Sequence, residues 1–497
     1  MLKNGLVSFA VVPLFLACDD GPPIRRLKGA QPVREGPLTL TPIEFATTDF
    51  YLRPTKTRAH EGRLLVPESR RRPRGRLLEL RFVRFASTSS AKRPAIVYLA
   101  GGPGASGIWS ASGDRYDLFM KLRAAGDVVA LDQRGAGFSR PAPVCPGTWS
   151  YPLNHPHDDD TLAAVLAPYL RRCIAAFDDS LDVTAFNTIE SAADLEDLRI
   201  ALKANQLSLV GISYGTHLAL AYLRRYPNRV ARAVLAGVEG PDHTWKLPLN
   251  IDAILHRIDT AIAADPRAHR AIPDFLGSLR ATLAQLDARP VTLDVTHPRT
   301  KKQLRVTVGG DDLRRAVYNV IAERERIEEM LRRLIPIIHG DFTALAQRAA
   351  LTRLDNEELV MSLSIDCSSG ATSDRLDLID RQTDEAILRD IANGYLRATC
   401  GTWPHEDLGD VFRAPIHSLV PTLFISGTLD PRTPPANAEE VARGFPNGRH
   451  LLIEGGAHDD DLLISSPRIG DVMLRFLVGE DVDSQRIALA PLRFGLP

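Results

Sequence analysis

Apolar residues follow two different patterns along the chain. Between residues 51 and 240 they come in short unbroken runs separated by segments of helical periodicity. The runs are Ala95-Ile96-Val97-Tyr98-Leu99, Asp127-Val128-Val129-Ala130-Leu131, Leu207-Ser208-Leu209-Val210 and residues 230–236. A strand without polar alternation must be covered on both faces, so these runs predict a mainly parallel sheet flanked by helices. From 241 to 415 helical spacing takes over. Ile251, Ile254, Leu255, Ile258 and Ile262 form one stripe. Val317, Ile321, Ile327, Leu331, Leu334 and Ile338 mark a second long helical stretch over 311–339, and residues 291–308 between them read as a β-hairpin. The strand pattern resumes with Leu423-Phe424-Ile425 and His450-Leu451-Leu452-Ile453, and a last helix carries Val472, Leu474, Phe476 and Leu477. The prediction is an α/β core over 51–240 and 416–497, with a mostly helical cap over 241–415 inserted after the sixth core strand. Residues 18–50, rich in Pro, Gly and Arg, read as a tether.

The start of the chain points to export. Lys3 precedes an almost wholly apolar stretch over 5–17. That stretch is too short to span a bilayer and suits a signal peptide over 1–17. Phe15-Leu16-Ala17-Cys18 resembles a bacterial lipobox, with Phe where Leu is usual. Lipidation of Cys18 would tether the protein to a membrane of the cell envelope; cleavage near Ala17 would leave it periplasmic or secreted. Removing Cys18 leaves Cys145, Cys173, Cys367 and Cys400, an even number that in an exported chain suggests disulfides. Three pairings are open, and the sequence-local one is favoured. None of the spacings fits a zinc site or a redox CxxC, so no metal is expected.

Charge narrows the partners. Lys+Arg and Asp+Glu balance at 61 each over 497 residues, which gives no electrostatic case for a nucleic acid or an anionic membrane. The densest basic run, Arg70-Arg71-Arg72 with Arg74, reads as a solvated loop.

The candidate chemistry begins at Gly211-Ile212-Ser213-Tyr214-Gly215. The pattern is common, but here it joins a predicted strand to a predicted helix, the setting of a nucleophile elbow in an α/β-hydrolase fold. A turn that sharp needs small residues around Ser213. Gly101-Gly102-Pro103-Gly104 directly follows another strand, and its backbone can approach a substrate closely. The N–H groups of Gly102 and Tyr214 are the expected oxyanion donors. A serine hydroxyl needs a histidine to take its proton and an acid to hold that histidine. In this fold they follow in the order Ser, acid, His. Asp430 and His458 each stand just beyond a predicted strand, in that order. No organic cofactor is required.

With Asp132-Gln133-Arg134-Gly135-Ala136-Gly137-Phe138-Ser139 and Ser426-Gly427-Thr428-Leu429-Asp430-Pro431-Arg432-Thr433-Pro434 added, the chain resembles the proline iminopeptidase and tripeptidyl aminopeptidase group of α/β-hydrolases. The likeness runs over nearly everything after the tether. It implies peptide hydrolysis from a free N-terminus by an exported enzyme, and it supports the four cysteines as disulfide positions. Two departures stand out. The cap segment 261–269 lacks a cysteine pair that relatives often carry, and Asp459-Asp460-Asp461 follows His458 where Gly is common; the acidic run reads as a solvated loop. An aminopeptidase needs a carboxylate for the substrate amine, and Glu239, where the core gives way to the cap, is the candidate. Arg134 is expected to brace its loop and His217 to pack. Two other readings compete: an esterase or acyltransferase on small esters, since the same triad serves both, and a non-catalytic exported binding protein. Serine at the elbow argues against epoxide hydrolase or dehalogenase chemistry, which uses Asp there.

Overall fold

The apolar runs pair as their lack of alternation requires. In the computed structural model, which describes residues 23–177 and 180–496, Ala95–Leu99 lies between Val128–Asp132 and Leu207–Ile212. Val230–Ala236, Thr422–Gly427, Gly448–Glu454 and Gln485–Ala488 continue outward from Leu207–Ile212, all parallel. Alternate residues of each strand enter opposite cores. Val97, Leu99, Leu209 and Leu235 pack with the helices Asp159–Phe177, Thr188–Ala201 and Tyr214–Arg225. Ile96, Tyr98, Val210 and Val234 pack with Tyr116–Leu122 and Pro467–Val478.

The segment read as a tether is different in the structure from residue 24 onward. Ile24–Arg26, Val33–Glu35 and Leu38–Thr48 are strands, and Leu38–Thr48 pairs along its whole length with Pro54–Pro67. Leu77–Phe85 then joins this antiparallel wing to Val128–Asp132. The physical reason lies in Leu38, Ile43 and Phe45, which are buried and supply a core face despite the surrounding Pro and Gly. The arginine loop is also not free. Arg70 pairs with Glu190, Asp194 and Asp197, Arg71 with Glu406 and Arg72 with Asp182. The predicted leader and Cys18 lie outside the described residues. Among the described residues no helix is long and apolar enough to cross a membrane.

Counted from Pro54–Pro67, Val230–Ala236 is the sixth strand of the sheet, and helices follow it. The stripe on Pro248–Ala264, the helix Phe275–Ala288 and the hairpin Val291–Thr296/Gln303–Val308 share one apolar cluster. The stretch 311–339 is two helices, Gly310–Val320 and Arg324–Ile338, because Glu323 between them is extended (φ −135°, ψ 131°). Leu429 and Ala457, beside the predicted acid and histidine, are buried in this same cap cluster. The later helix Val360–Ser369 belongs elsewhere: Val360, Met361, Leu363 and Cys367 pack into the sheet-side core. Cys145–Cys173 and Cys367–Cys400 are disulfides, the sequence-local pairing.

Candidate active site

Backbone strain at one residue organises the site. Ser213 joins Leu207–Ile212 to Tyr214–Arg225 with φ 53° and ψ −126°, a conformation costly for a side chain bearing a Cβ. A turn this sharp also crowds the backbone two residues to either side, where only glycine fits. A Cβ on Gly215 would stand 2.0 Å from Leu99 O, and one on Gly211 2.6 Å from Gly215 O. The Ser213 N–H donates to Ala236 O at 3.0 Å, which ties the elbow to the next strand.

The loop after Ala95–Leu99 lies against this serine. A Cβ on Gly101 would sit 3.0 Å from Ser213 Cβ and 3.7 Å from Ser213 Oγ. Gly102 has φ +112°, and its N–H donates to no acceptor among the described residues. Tyr214 opens its helix, so its N–H has no carbonyl one turn earlier in that helix to bond. Tyr214 is thus the serine's own chain neighbour, and Gly102 follows the glycine that lies against the serine. The loop is held from both sides: Gln133 Nε2 donates to Ala100 O (2.9 Å) and Ser362 Oγ to Pro103 O (2.6 Å).

The DQRG segment is structural. Asp132 accepts from Ser106 Oγ (2.6 Å), Ile108 N (3.0 Å) and Phe138 N (2.6 Å), and burial pushes its carboxyl up to about 6. Arg134 is buried, makes two 2.7 Å bonds to the Asp194 carboxylate, and donates to Glu68 O and Ala185 O. It braces its loop and does not reach toward substrate.

Asp430 and His458 come together from the ends of adjacent strands. His458 Nδ1 lies 2.8 Å from Asp430 Oδ2, with Asp430 fully buried. Asp430 also accepts from Arg432 N (2.8 Å), Thr433 N (2.9 Å) and Thr433 Oγ1 (2.7 Å). Burial pushes this carboxyl up, but His458 and these donors outweigh it and hold the group below the usual aspartate range. A carboxylate can only accept, so Nδ1 carries the proton and Nε2 is left as the basic nitrogen. The ring lies beside Gly237, where a Cβ would stand 3.3 Å from His458 Cε1, one residue along from Ala236, whose carbonyl accepts from the Ser213 N–H. Ser213 Oγ makes no hydrogen bond among the described residues; contacts of this kind are often open before substrate binds.

The acidic run after His458 keeps Asp459 and Asp460 more than half exposed, as a solvated loop would, yet both side chains are engaged. Asp459 and Asp460 both pair with Arg115, whose guanidinium donates to Tyr98 OH (2.7 Å). Asp461 Oδ2 accepts from Ala457 N (2.8 Å). One opposite charge, brought by Arg115 from a distant segment and shared by Asp459 and Asp460, offsets part of what looks, in the sequence, like a repulsive triplet. The cap touches the same loop, since the His458 N–H donates to Ala322 O (3.2 Å) at the break between the two cap helices.

Glu239 is buried near the elbow helix, where its N–H donates to Thr216 Oγ1 (2.8 Å). Its carboxylate is already paired, with Lys246 Nζ 2.9 Å away. Burial pushes this carboxyl up, but Lys246 and His217 outweigh it and hold it below the ordinary glutamate value. His217 packs as expected, its ring between Gly240 O (3.0 Å) and Ser369 Oγ (3.3 Å). One group escaped the sequence reading. Asp366, on Val360–Ser369, is half-buried and makes no side-chain hydrogen bond among the described residues. Burial, with Glu239 nearby, pushes its carboxyl up to about 8. Both acids act electrostatically on Tyr214, the residue after the elbow serine. The only signal in the sequence was an acid interrupting the apolar run 359–365.

A glycine-flanked serine on a strained strand-to-helix turn, with paired acid and histidine beyond later strands of one parallel sheet, defines a hydrolase of the serine type. The chain belongs to the alpha/beta hydrolase fold family, whose model matches residues 94–460. Among curated relatives, the serine protease Hip1 of Mycobacterium tuberculosis is 27% identical over 443 residues, covering 80% of this chain and 81% of that protein. A tripeptidyl aminopeptidase of Streptomyces lividans is 26% identical over 474 residues, covering 86% and 83% respectively. The likeness to the tripeptidyl aminopeptidase group read from the motifs is thus met along most of both chains.

Proposed function

We propose that this protein is an exported serine peptidase that removes residues or short peptides from free N-termini, with Ser213, His458 and Asp430 as its triad. The observation that carries the reading is the 2.8 Å Asp430–His458 pair, which lies beside Gly237, next to the Ala236 carbonyl that accepts from the strained Ser213. Rotation of the serine hydroxyl toward Nε2 completes the relay. His458 takes the Ser213 proton as Oγ attacks the scissile carbonyl, and the developing oxyanion is received by the N–H groups of Gly102 and Tyr214. Each such donor is typically worth about 3 kcal/mol. The imidazolium, stabilised by Asp430, then protonates the leaving amine. Water enters, gives a proton to His458, and releases the acyl group from Ser213.

The half-buried Asp366 supports a preference for free amines. The adjoining Glu239–Lys246 pair is bonded, so Asp366, on which Lys246 acts only at a distance, is the acid with no bonded cation. A substrate ammonium would supply one. The names of the relatives agree with peptide substrates, and two disulfides suit an oxidising compartment outside the cytoplasm.

The test is twofold. A fluorophosphonate probe should label Ser213, located by peptide mass spectrometry, and Ser213→Ala should abolish turnover with the fold intact. Aminoacyl and tripeptidyl coumarinylamides should be cleaved with a free amine and resisted when N-acetylated. Full activity in Ser213→Ala would overturn the triad. Equal cleavage of free and acetylated forms would overturn amine recognition.

A further inference from the structure

Most exposed apolar side chains on this molecule stand singly, but three stand together at one hairpin tip. Among the described residues, Phe50, Tyr51 and Leu52 are the only large apolar residues exposed in succession, at 49%, 70% and 75%. They join Leu38–Thr48 to Pro54–Pro67. Such tips ordinarily carry Gly, Asn or Asp, which suit both the turn backbone and water. Leu52 instead has φ 59°, a left-handed conformation that Gly and Asn enter readily and Leu does not. Exposure and strain both count against these residues, so folding alone does not account for them.

The tip is nonetheless firmly held. Asp49 is buried; its Oδ1 accepts from Tyr51 N and Arg53 N, both at 2.9 Å, and its Oδ2 from Arg53 Nε at 2.6 Å. The Arg53 guanidinium lies 5.1 Å from the Tyr51 ring centre, and Phe50 meets that ring edge-on at 5.4 Å. At the base of the tip, the Gly113 N–H donates to Thr47 Oγ1 (3.1 Å) and Thr57 Oγ1 bonds Tyr116 OH.

The path of the chain indicates what the tip meets. Arg26, Arg25 and Ile24 stand opposite Ile43, Glu44 and Phe45 in turn, and the Ala46 N–H donates to Pro23 O (2.8 Å). Traced toward the N-terminus, the described chain therefore runs toward the tip. Pro23 is five residues from Cys18, the expected site of lipidation, and five extended residues reach at most roughly 18 Å. A lipid on Cys18 would bring a membrane surface within reach of the exposed trio. Behind the tip, Arg25, Lys56 and Arg58 are exposed around one carboxylate, Glu44, which bonds Lys56 (2.9 Å) and stands opposite Arg25 and Arg58 in the ladder. Cations behind an aromatic and aliphatic tip suit anionic headgroups above an acyl layer.

We propose that Phe50, Tyr51 and Leu52 form a lipid-docking tip that enters the interfacial layer of the membrane holding the N-terminus. The inference rests on the exported, tethered reading of the chain for its occupant and is independent of the peptidase chemistry.

The test uses the protein from residue 19 onward, which keeps every described residue and carries no lipid. Mixed with vesicles of phosphatidylethanolamine and phosphatidylglycerol, it should float with them. Tyr51→Ser and Leu52→Asn should each weaken the partition about tenfold. Asn suits the left-handed backbone, so Leu52→Asn should lose binding without a fall in melting temperature. Tyr51→Trp should gain quenching by brominated acyl chains above the background of the four native tryptophans. Absent flotation, flotation that both substitutions leave unchanged, or no added quenching at position 51 would overturn the docking tip. So would self-association without vesicle binding, abolished by the same substitutions in sedimentation velocity, which would give the tip to a second copy of the chain. Lipidation is read separately, by mass spectrometry of the N-terminal peptide from cells expressing the full chain. A bare residue 18 with a vesicle-binding tip would sustain the tip and sink the tether; a lipid there with an inert tip would do the reverse.

Discussion

Replacing Asp366 by Asn tests the electrostatics of the site most directly. An ordinary aspartate titrates near 3.8, whereas Asp366 in the fold is pushed up to about 8. At pH 3 the group is protonated in both the folded and unfolded chain and contributes no pH dependence. As pH rises through 4 the unfolded chain loses the proton while the folded chain keeps it, so folding becomes less favourable by about 1.4 kcal/mol per unit. The penalty grows until pH 8 and is constant above. Over that window it amounts to roughly 5–6 kcal/mol as an upper bound, and relaxation around the half-buried group brings it to about half. Asn carries no such term. Asp366→Asn should therefore gain stability relative to wild type as pH rises from 5 to 8, by about 2 kcal/mol or more. Denaturant unfolding at both pH values measures this. The same variant should lose about tenfold or more of its kcat/KM on free-amine substrates, with acetylated ones unaffected. A stability difference between the two proteins that stays constant from pH 5 to 8 would refute the reasoning.

Three further outcomes are expected. Gly215→Ala should prevent accumulation of folded protein or cost more than about 3 kcal/mol, because its Cβ would stand 2.0 Å from Leu99 O; thermal melting decides. Arg115→Met should leave Asp459 and Asp460 without their counter-ion, lowering kcat about tenfold with KM little changed; an unaltered kcat would show that the loop holds His458 unaided. Reducing Cys145–Cys173 and Cys367–Cys400, which close loops of 28 and 33 residues, should lower stability by roughly 3–4 kcal/mol each; melting with and without a thiol reductant reads this directly.

Much of this molecule was legible from local pattern alone. The unbroken apolar runs could only be strands covered on both faces, and the order of parallel elements follows from that requirement. Ser213, Asp430 and His458 were recognisable because each stands just past such a run, where side chains of a parallel sheet leave the core. Glycines at 101, 102, 211 and 215 announced close backbone approach, and the φ of Gly102 and the contacts at Gly211 and Gly215 show why. What tertiary structure alone decided was the pairing of charges. Nothing in the chain says that Lys246 bonds Glu239 and not Asp366, or that Arg115 compensates the acids after His458. The strand Leu38–Thr48 was hidden for a similar reason, since it forms by pairing with residues from 54 onward, and Ile24–Arg26 and Val33–Glu35 pair in turn on it. Hydrophobic periodicity is a property of neighbours in sequence, whereas an ion pair depends on which distant segments share a space and how much water remains between them.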